Sequence, residues 1–423
     1  MSRSVERLEL DSLLAGRWET RVVPGLERIV QVLAALGSPE TRYPSVLVLG
    51  TNGKGSTCAF LASLLQAMGL KVGLYTSPHL VRVEERIRIN GKPLAPQEVL
   101  SWVRQLESWP QLSFFETLTA VAFAAFAEHA VDVAVVEAGL GGRWDATNAK
   151  RHEVALLTNV GTDHREWLGP TRAHIAAEKA AAIRGCEGIL GQWDRLLLPI
   201  IKAHADPATP LTPATAWAQV RLARERRQGL FCTVTAKALG SSWTVQLPLA
   251  GRFQVANYRL ALAGLAALCH HRLIPTPSVA ALIAGTQATQ WPGRLQPLHW
   301  RGKCFFLDGA HNLEAVGALV TSLRQTELAG ELDLIFSCLA DKPLAAMARR
   351  LLPVVRQVQV VPVDSPRGRD LDELQRAFPG SRAAASLRQA LEEASPERPT
   401  LITGSLRLVG EALAVLQADP WTG

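Results

Sequence analysis

The chain is short of paired cysteines, of charge clusters and of long apolar runs, and each shortage excludes something. Its six cysteines, at positions 58, 186, 232, 269, 304 and 338, include no C-x-x-C pair and no histidine spacing suited to zinc. They read as buried apolar residues in a reducing compartment, which points to the cytoplasm rather than to a disulfide scaffold. The N-terminus has no apolar signal region. The most apolar stretch, Leu118 to Ala127, is half the ~20 residues that a membrane span needs before Glu128, His129 and Asp132 interrupt it. No membrane partner is expected. Charged residues make up only 20% of the chain, and the net charge of +7 is dispersed apart from the run Arg221–Arg227. That run has no interleaved aromatics, so it reads as a solvated face, nucleic acid is not expected as a partner, and small anionic substrates suit the charge better.

At 423 residues the chain exceeds the size at which one core stops growing, ~250–300 residues, so two domains are expected, and 48% hydrophobic residues can fill both. From Val46 to about residue 190, β-branched runs alternate with Ala- and Leu-rich helical stretches. Val46–Leu49, Val72–Tyr75, Val133–Val136 and Val154–Leu157 read as buried strands of a parallel sheet with helices on both faces. The near-alternating Thr, Val and Trp of Phe231–Leu247 predict a small antiparallel addition, and helix returns at Asn257–Leu268. After the turn-rich Gln290–Arg294, strands are expected at Cys304–Leu307, Leu332–Phe336, Val358–Val361 and Thr400–Ile402. The domain boundary falls near residue 296. No internal repeat or low-complexity segment is apparent.

The most informative segment is Val46-Leu-Val-Leu-Gly50-Thr51-Asn52-Gly53-Lys54-Gly55-Ser56-Thr57, an apolar run ending in a Gly-rich turn with a lysine before helix-forming residues. Glycines allow positive φ and close backbone approach. Backbone N–H groups and the following helix N-terminus can then surround phosphate oxygens while Lys54 supplies a point charge. The spacing departs from G-x-x-x-x-G-K-[ST], because two residues separate Gly50 from Gly53 and Gly55 follows the lysine.

In an open α/β sheet the ligand crevice lies beyond the carboxyl ends of the strands. Polar residues recur there: Lys54 after the first strand, Ser77 and His79 after the second, Glu137 ending the third, and Asp163 and His164 shortly after the fourth. A hydroxyl, a carboxylate and an imidazole beside a triphosphate form a plausible magnesium set. Singly, each has a plainer reading as a turn, cap or loop residue. Lys179 shares a face of the helix expected over Thr171–Arg184 with Ile175 and Ile183, which points its ammonium toward the packed side and lowers its pKa if buried. It is either a snorkelling or paired lysine, or a neutral one able to react with CO₂ to form a carbamate.

These residues resemble the ordered blocks of the folylpolyglutamate synthase/dihydrofolate synthase family, within the ATP-dependent Mur-type amide ligases. The resemblance spans nearly the whole chain. It rests on Gly50–Ser56, Thr76-Ser-Pro-His-Leu80 with Glu85-Arg86, Phe114-Phe-Glu116, Glu137-Ala-Gly-Leu-Gly-Gly-Arg-Trp-Asp-Ala-Thr-Asn148, Asp163-His164 with Trp167-Leu-Gly-Pro170, and Glu178-Lys179-Ala180. Downstream it includes Asn257, Pro292-Gly-Arg294, Asp308-Gly-Ala-His-Asn312, Asp341-Lys342, Pro366-Arg367 and Gly404-Ser405. It implies an α/β fold: a P-loop, Mur-ligase-like ATP-binding domain with a parallel sheet over residues 1–295, and a smaller Rossmann-like glutamate-ligase domain over 296–423.

By the same resemblance Gly50, Thr51, Asn52, Gly53, Lys54, Gly55, Ser56, Asn257, Arg294, Asp308 and His311 bind ATP. Ser77, Glu137 and His164 coordinate Mg²⁺, and Lys179 carries a CO₂-derived carbamate toward a second Mg²⁺. Gly25, Leu26, Phe115, Glu116, Trp144, Asp145 and Ala146 hold the pterin. Lys54, Lys179 and His311 are the implied catalytic residues of a cytoplasmic monomer that joins L-glutamate to dihydropteroate and reduced folates. A carboxylate is a poor acyl donor, so it must first become an acyl phosphate, whose formation Lys54, Arg294 and Mg²⁺ would assist by neutralising the transferring phosphoryl group.

Three departures from the family pattern stand out: Leu313 replaces a usual proline, no glycine follows Lys179-Ala180, and Val23 in Val22-Val-Pro-Gly-Leu26 stands where bifunctional members often carry aspartate near the pterin. Two other readings compete. A peptidoglycan Mur ligase would place a sugar-nucleotide domain ahead of the loop, for which the 49 residues before Gly50 are too few. A nucleotide switch would have no use for Lys179, His311 or a second domain facing the cleft.

Overall fold

A computed structural model describes residues 3–15, 17, 24–226 and 229–416. Val22, Val23 and Arg227 lie outside the described residues. An eight-stranded sheet comprises β1 (Ser45–Leu49), β2 (Val72–Tyr75), β3 (Ile87–Ile89), β4 (Lys92–Pro93), β5 (Val133–Glu137), β6 (Val154–Leu157), β7 (Glu187–Leu190) and β8 (Leu211–Pro213), in the order β4-β3-β2-β5-β1-β6-β7-β8. The pairs from β2 to β8 are parallel, and β3 and β4 close one edge antiparallel. β1, β5 and β6 are buried at every residue, as strands of Val, Leu and Ala, with only Ser45 and Glu137 polar at their ends, require when helices cover both faces. The helices Lys54–Ala67 and Phe253–His270 pack on each other over one face, and Phe114–Glu128 belongs to the core on the other.

An antiparallel sheet of β9 (Gln219–Arg226), β10 (Gly229–Ala236) and β11 (Ser241–Leu247) joins that first core through Val234, Trp243 and Val245. A third sheet begins at Gln296. Its strands are β12 (Gln296–Trp300), β13 (Lys303–Leu307), β14 (Leu332–Phe336), β15 (Val355–Val360), β16 (Arg382–Ala383) and β17 (Thr400–Thr403), in the order β12-β13-β17-β14-β15-β16, antiparallel only between β12 and β13. Two further apolar clusters cover its faces.

Two expectations need correction. The helix expected over 171–184 spans Arg172–Ala180, because 3₁₀-type bonds from Ala182 to Lys179 and from Ile183 to Ala180 tighten its end ahead of Gly185 at φ +58°. Only Cys58, Cys232 and Cys338 are buried; Cys186, Cys269 and Cys304 sit near element ends or beside a sheet edge and are half-buried, and all six are unpaired. Among the described residues no helix is long and apolar enough to cross a membrane.

Candidate active site

The candidate side chains of the first sheet leave it at the carboxyl ends of strands. After β1, Gly50 (φ +142°) and Gly53 (φ +86°) turn the chain into the helix Lys54–Ala67. A Cβ on Gly50 would lie 1.8 Å from Thr158 Oγ1, and one on Gly53 would lie 2.3 Å from Asn257 Oδ1. The loop is thus pressed against its neighbours, with Gly53, Lys54, Gly55 and Ser56 in the wall of a cleft. Lys54 Nζ reaches back to the carbonyls of Gly50 (3.3 Å) and Thr51 (3.4 Å). Bonds this long yield readily to a charge-assisted one with a phosphate.

Glu137 ends β5. It is buried, and its one partner among the described residues is the Ser77 N–H at 3.2 Å. Burial raises its pKa, against the opposing charges of Lys54, Arg294 and Arg86. His164 follows β6 at φ +56°, its pKa pushed down to about 4 by burial, which outweighs the nearby Asp163 carboxylate. The ring is therefore neutral near pH 7, the form that ligates metals. A buried carboxylate with acceptor capacity to spare, a serine hydroxyl and a neutral imidazole suit a hard divalent cation that completes its shell with phosphate oxygens. Among the described residues no three His, Cys, Asp or Glu side chains gather to hold a metal alone.

Lys179 is 4% exposed and donates to the Gly50 carbonyl at 2.9 Å, so two lysines converge on one oxygen of the loop. Ile175 and Ile183 beside it are fully buried, as the helical spacing predicts. Burial, aided by Lys54, lowers the Lys179 pKa to about 7. Near neutrality a large fraction is free amine, the form that adds to CO₂.

The third sheet supplies the opposite wall. Asp308 follows β13, is buried, and accepts the N–H groups of Leu295 and Ala310, each at 2.9 Å; burial raises its pKa while Arg294 opposes the rise. Arg294 lies so close to Gly309 that a Cβ there would be 2.4 Å from its Nη1. His311 Nδ1 donates to the Gly309 carbonyl at 2.8 Å, which leaves Nε2 facing Asp163 Oδ2 at 3.6 Å. The walls enclose a cleft of about 1870 Å³ that holds Lys54, Ser77, Glu137, His164 and Asn257 with Arg294, Asp308 and His311.

Asp163 ties the walls together. Lys342 Nζ lies 2.7 Å from one carboxylate oxygen and Asn312 Nδ2 lies 3.0 Å from the other. Burial opposes ionisation, yet His311, His164 and Lys342 together hold the carboxyl well below the usual range, with Lys342 the cation within hydrogen-bond distance. Asn52 and Asn312 exchange side-chain amide bonds of 3.3 and 2.9 Å, and Glu314 accepts from Thr162 N and Oγ1 at 3.0 and 2.6 Å.

Of the seven residues expected at the pterin, Phe115, Glu116, Trp144, Asp145 and Ala146 line the cleft, Trp144 half-exposed. Gly25 and Leu26 do not line it, although the adjoining Pro24 does, and Arg28 connects the Gly25 carbonyl (3.4 Å) to Glu116 (2.9 Å). The Asp145 carboxylate shapes its own loop by accepting Leu140 N at 2.7 Å and Thr147 N at 3.0 Å. Sequence reasoning assigned no role to Arg86, Glu314 or Lys342, which also line the cleft. Arg86 and Lys342 fall inside conspicuous blocks, but nothing in spacing shows that Lys342 meets Asp163.

A profile described as "Mur ligase middle domain" matches residues 48–265, and one described as "Mur ligase, glutamate ligase domain" matches 293–406. The chain is 34% identical to the dihydrofolate synthase/folylpolyglutamate synthase of Mycobacterium tuberculosis, over 98% of its own length and 94% of that protein. It resembles the structure of Escherichia coli FolC in complex with DHPP and ADP, with TM-score 0.85, 29% identity and 99% and 98% of the two chains covered. A third likeness is the Yersinia pestis bifunctional folylpolyglutamate synthase/dihydrofolate synthase complexed with AMPPNP and Mn ion, with TM-score 0.82, 30% identity and 96% of each chain covered.

Proposed function

Because the chain belongs to the dihydrofolate synthase/folylpolyglutamate synthase family of Mur ligases, we propose that it is an ATP-dependent ligase joining L-glutamate to dihydropteroate and to the glutamate tail of tetrahydrofolate. The observation that carries this reading is a single cleft in which Lys54 and Glu137 from one sheet face Arg294, Asp308 and His311 from another. Such a cleft suits a reaction that must bring nucleotide, carboxylate and amine together away from water.

The phosphate loop and Asn257 hold the nucleotide, and Arg294, braced near Asp308, reaches the phosphates from the side of the third sheet. Lys54 and Arg294 neutralise charge as the γ-phosphoryl moves to the substrate carboxylate, giving an acyl phosphate. Ser77, Glu137, His164 and carbamylated Lys179 would hold Mg²⁺, which when bound supplies Lewis-acid stabilisation of the phosphoryl oxygens. The glutamate amine attacks the acyl carbon, phosphate leaves, and the amine proton passes to His311 Nε2, which lies 3.6 Å from Asp163. Phe115, Glu116, Trp144, Asp145 and Ala146 receive the pterin, with Gly25 and Leu26 behind Pro24. The protein acts as a monomer in the cytoplasm, and residues 1–295 and 296–423 are its two domains.

Product mass after incubation with ATP, Mg²⁺ and L-glutamate tests this reading, with dihydropteroate in one tube and tetrahydrofolate in another. One added glutamyl unit in both is expected. Addition in one alone would assign a single activity, and addition in neither would overturn the proposal.

A further inference from the structure

Resting on that reading, we infer that the contact between the Leu80 carbonyl and Gly410 is a positioning device: it transmits the seating of the second domain to Ser77 at the proposed metal site. The segment between Ser77 and Arg82 is held firmly at its base. The buried Glu85 carboxylate accepts the backbone N–H groups of Leu80 (2.9 Å), Val81 (3.1 Å) and Arg82 (2.8 Å). At the cleft end Thr76 N donates to the Arg86 carbonyl at 2.9 Å and Ser77 N to Glu137 at 3.2 Å. The segment is therefore a stiff connection and not a slack loop.

The same base rests on the second domain. Leu80 and Val81 pack against the apolar cluster containing Leu298, Val409 and Leu413. The helix Leu406–Leu416 presents its bare backbone at Gly410, where a Cβ would lie 1.9 Å from the Leu80 oxygen and 2.8 Å from its carbonyl carbon. Gly293, at φ +70° in the connection between the domains, meets the same place, since a Cβ there would lie 2.9 Å from Val409 and 3.7 Å from Leu80. Connection, helix and segment thus converge on one small patch. The obstructing atoms at Gly410 are backbone, so no rotamer change can relieve a methyl placed there.

An ordinary carbon-to-carbonyl-oxygen contact is ~3.3 Å, so Gly410→Ala must push the Leu80 backbone or the helix away by about 1.4 Å. With the base held by Glu85, that displacement passes to Ser77 or holds the domains apart. Either way the metal-holding geometry is spoiled, and an error of about 1 Å can cost on the order of 100-fold in rate.

The test compares wild type, Gly410→Ala, Glu85→Gln and the double variant. It uses the affinity of the ADP-bound protein for Mn²⁺, read from the loss of the free-ion electron paramagnetic resonance signal, together with kcat. Gly410→Ala is expected to weaken Mn²⁺ binding by about tenfold or more while its circular dichroism spectrum stays that of wild type. Glu85→Gln, which loosens the same Leu80–Arg82 base from within, should weaken it in the same direction, and the double variant should be no worse than the poorer single one. Glu85→Gln decides the matter if Gly410→Ala does not fold. Mn²⁺ affinity at the wild-type level in the folded variants would overturn the inference while the ligase reading stands. A wild-type protein that forms no glutamyl product would overturn the ligase reading instead.

Discussion

Replacing Lys342 with methionine keeps the length of the side chain and removes the cation from a carboxylate that joins the two walls of the cleft. Lys342 is 6% and Asp163 9% exposed, and their 2.7 Å contact is accompanied by the Asn312 amide. Stripping one partner from a buried pair costs ~3–5 kcal/mol. The lower figure applies here, because Asp163 keeps the Asn312 amide and retains access to cleft water. About 3 kcal/mol corresponds to a roughly 150-fold change in the ratio of closed to open protein. If closure precedes chemistry, kcat falls by up to that factor. The folded-state pKa of Asp163 is depressed, so its contribution is complete above ~3.9 and is lost only as pH falls through the lower folded value. That of Lys342 is raised, so its contribution is complete below ~10.4 and is lost as pH rises through the higher folded value. The wild-type pair should therefore contribute evenly from about pH 5 to 9. Urea unfolding and kcat, measured for Lys342→Met in the wild-type and Asp163→Asn backgrounds, form the assay. The substitution should cost about 3 kcal/mol in the first and less in the second, where Lys342 keeps its 3.1 Å contact with Asp341. Equal costs in both backgrounds would refute the reasoning.

Three further outcomes are expected. Lys179→Ala should keep nucleotide binding and lose product formation; in the wild type, ¹³CO₂ should give a carbamate signal that grows as pH rises through about 7, where the amine becomes neutral, and its absence would contradict the proposed role. Gly53→Ala places a methyl 2.3 Å from Asn257 at φ +86°, so calorimetry with ADP should show an affinity loss of about tenfold or more from ~1–2 kcal/mol of backbone strain plus the clash, and unchanged affinity would contradict the account of the loop. Trp144 is half-exposed in the cleft, so Trp144→Ala should raise KM for the pteridine substrate by about tenfold, the worth of a stacking contact of ~1.5 kcal/mol, with ADP affinity intact; an unchanged KM would remove Trp144 from the pterin site.

Much of this arrangement could be read from the chain, because local physics decides it. The buried runs at β1, β2, β5 and β6 needed only β-branched composition and helical spacing between them, and each delivers its polar residue at the carboxyl end as an α/β sheet requires. The burial of Lys179 followed from its apolar neighbours at i−4 and i+4, although its partner, the Gly50 carbonyl, did not. The contacts that sequence could not supply join residues far apart: Asn52 with Asn312, Asp163 with Lys342, and Leu80 with Gly410. These depend on how two separately packed units meet, which no local periodicity encodes. The short antiparallel edges β3, β4 and β12 were also missed, since two to five residues give too little pattern to separate a strand from a loop.

The central claim is that a carboxylate is activated by phosphorylation inside this cleft and then captured by glutamate. Dihydropteroate labelled with ¹⁸O in both carboxylate oxygens, incubated with the protein, ATP, Mg²⁺ and L-glutamate, tests it directly by mass spectrometry of the released phosphate. An acyl phosphate requires that one labelled oxygen leave with each phosphate while the other stays in the new amide. Product formed with unlabelled phosphate would contradict the account.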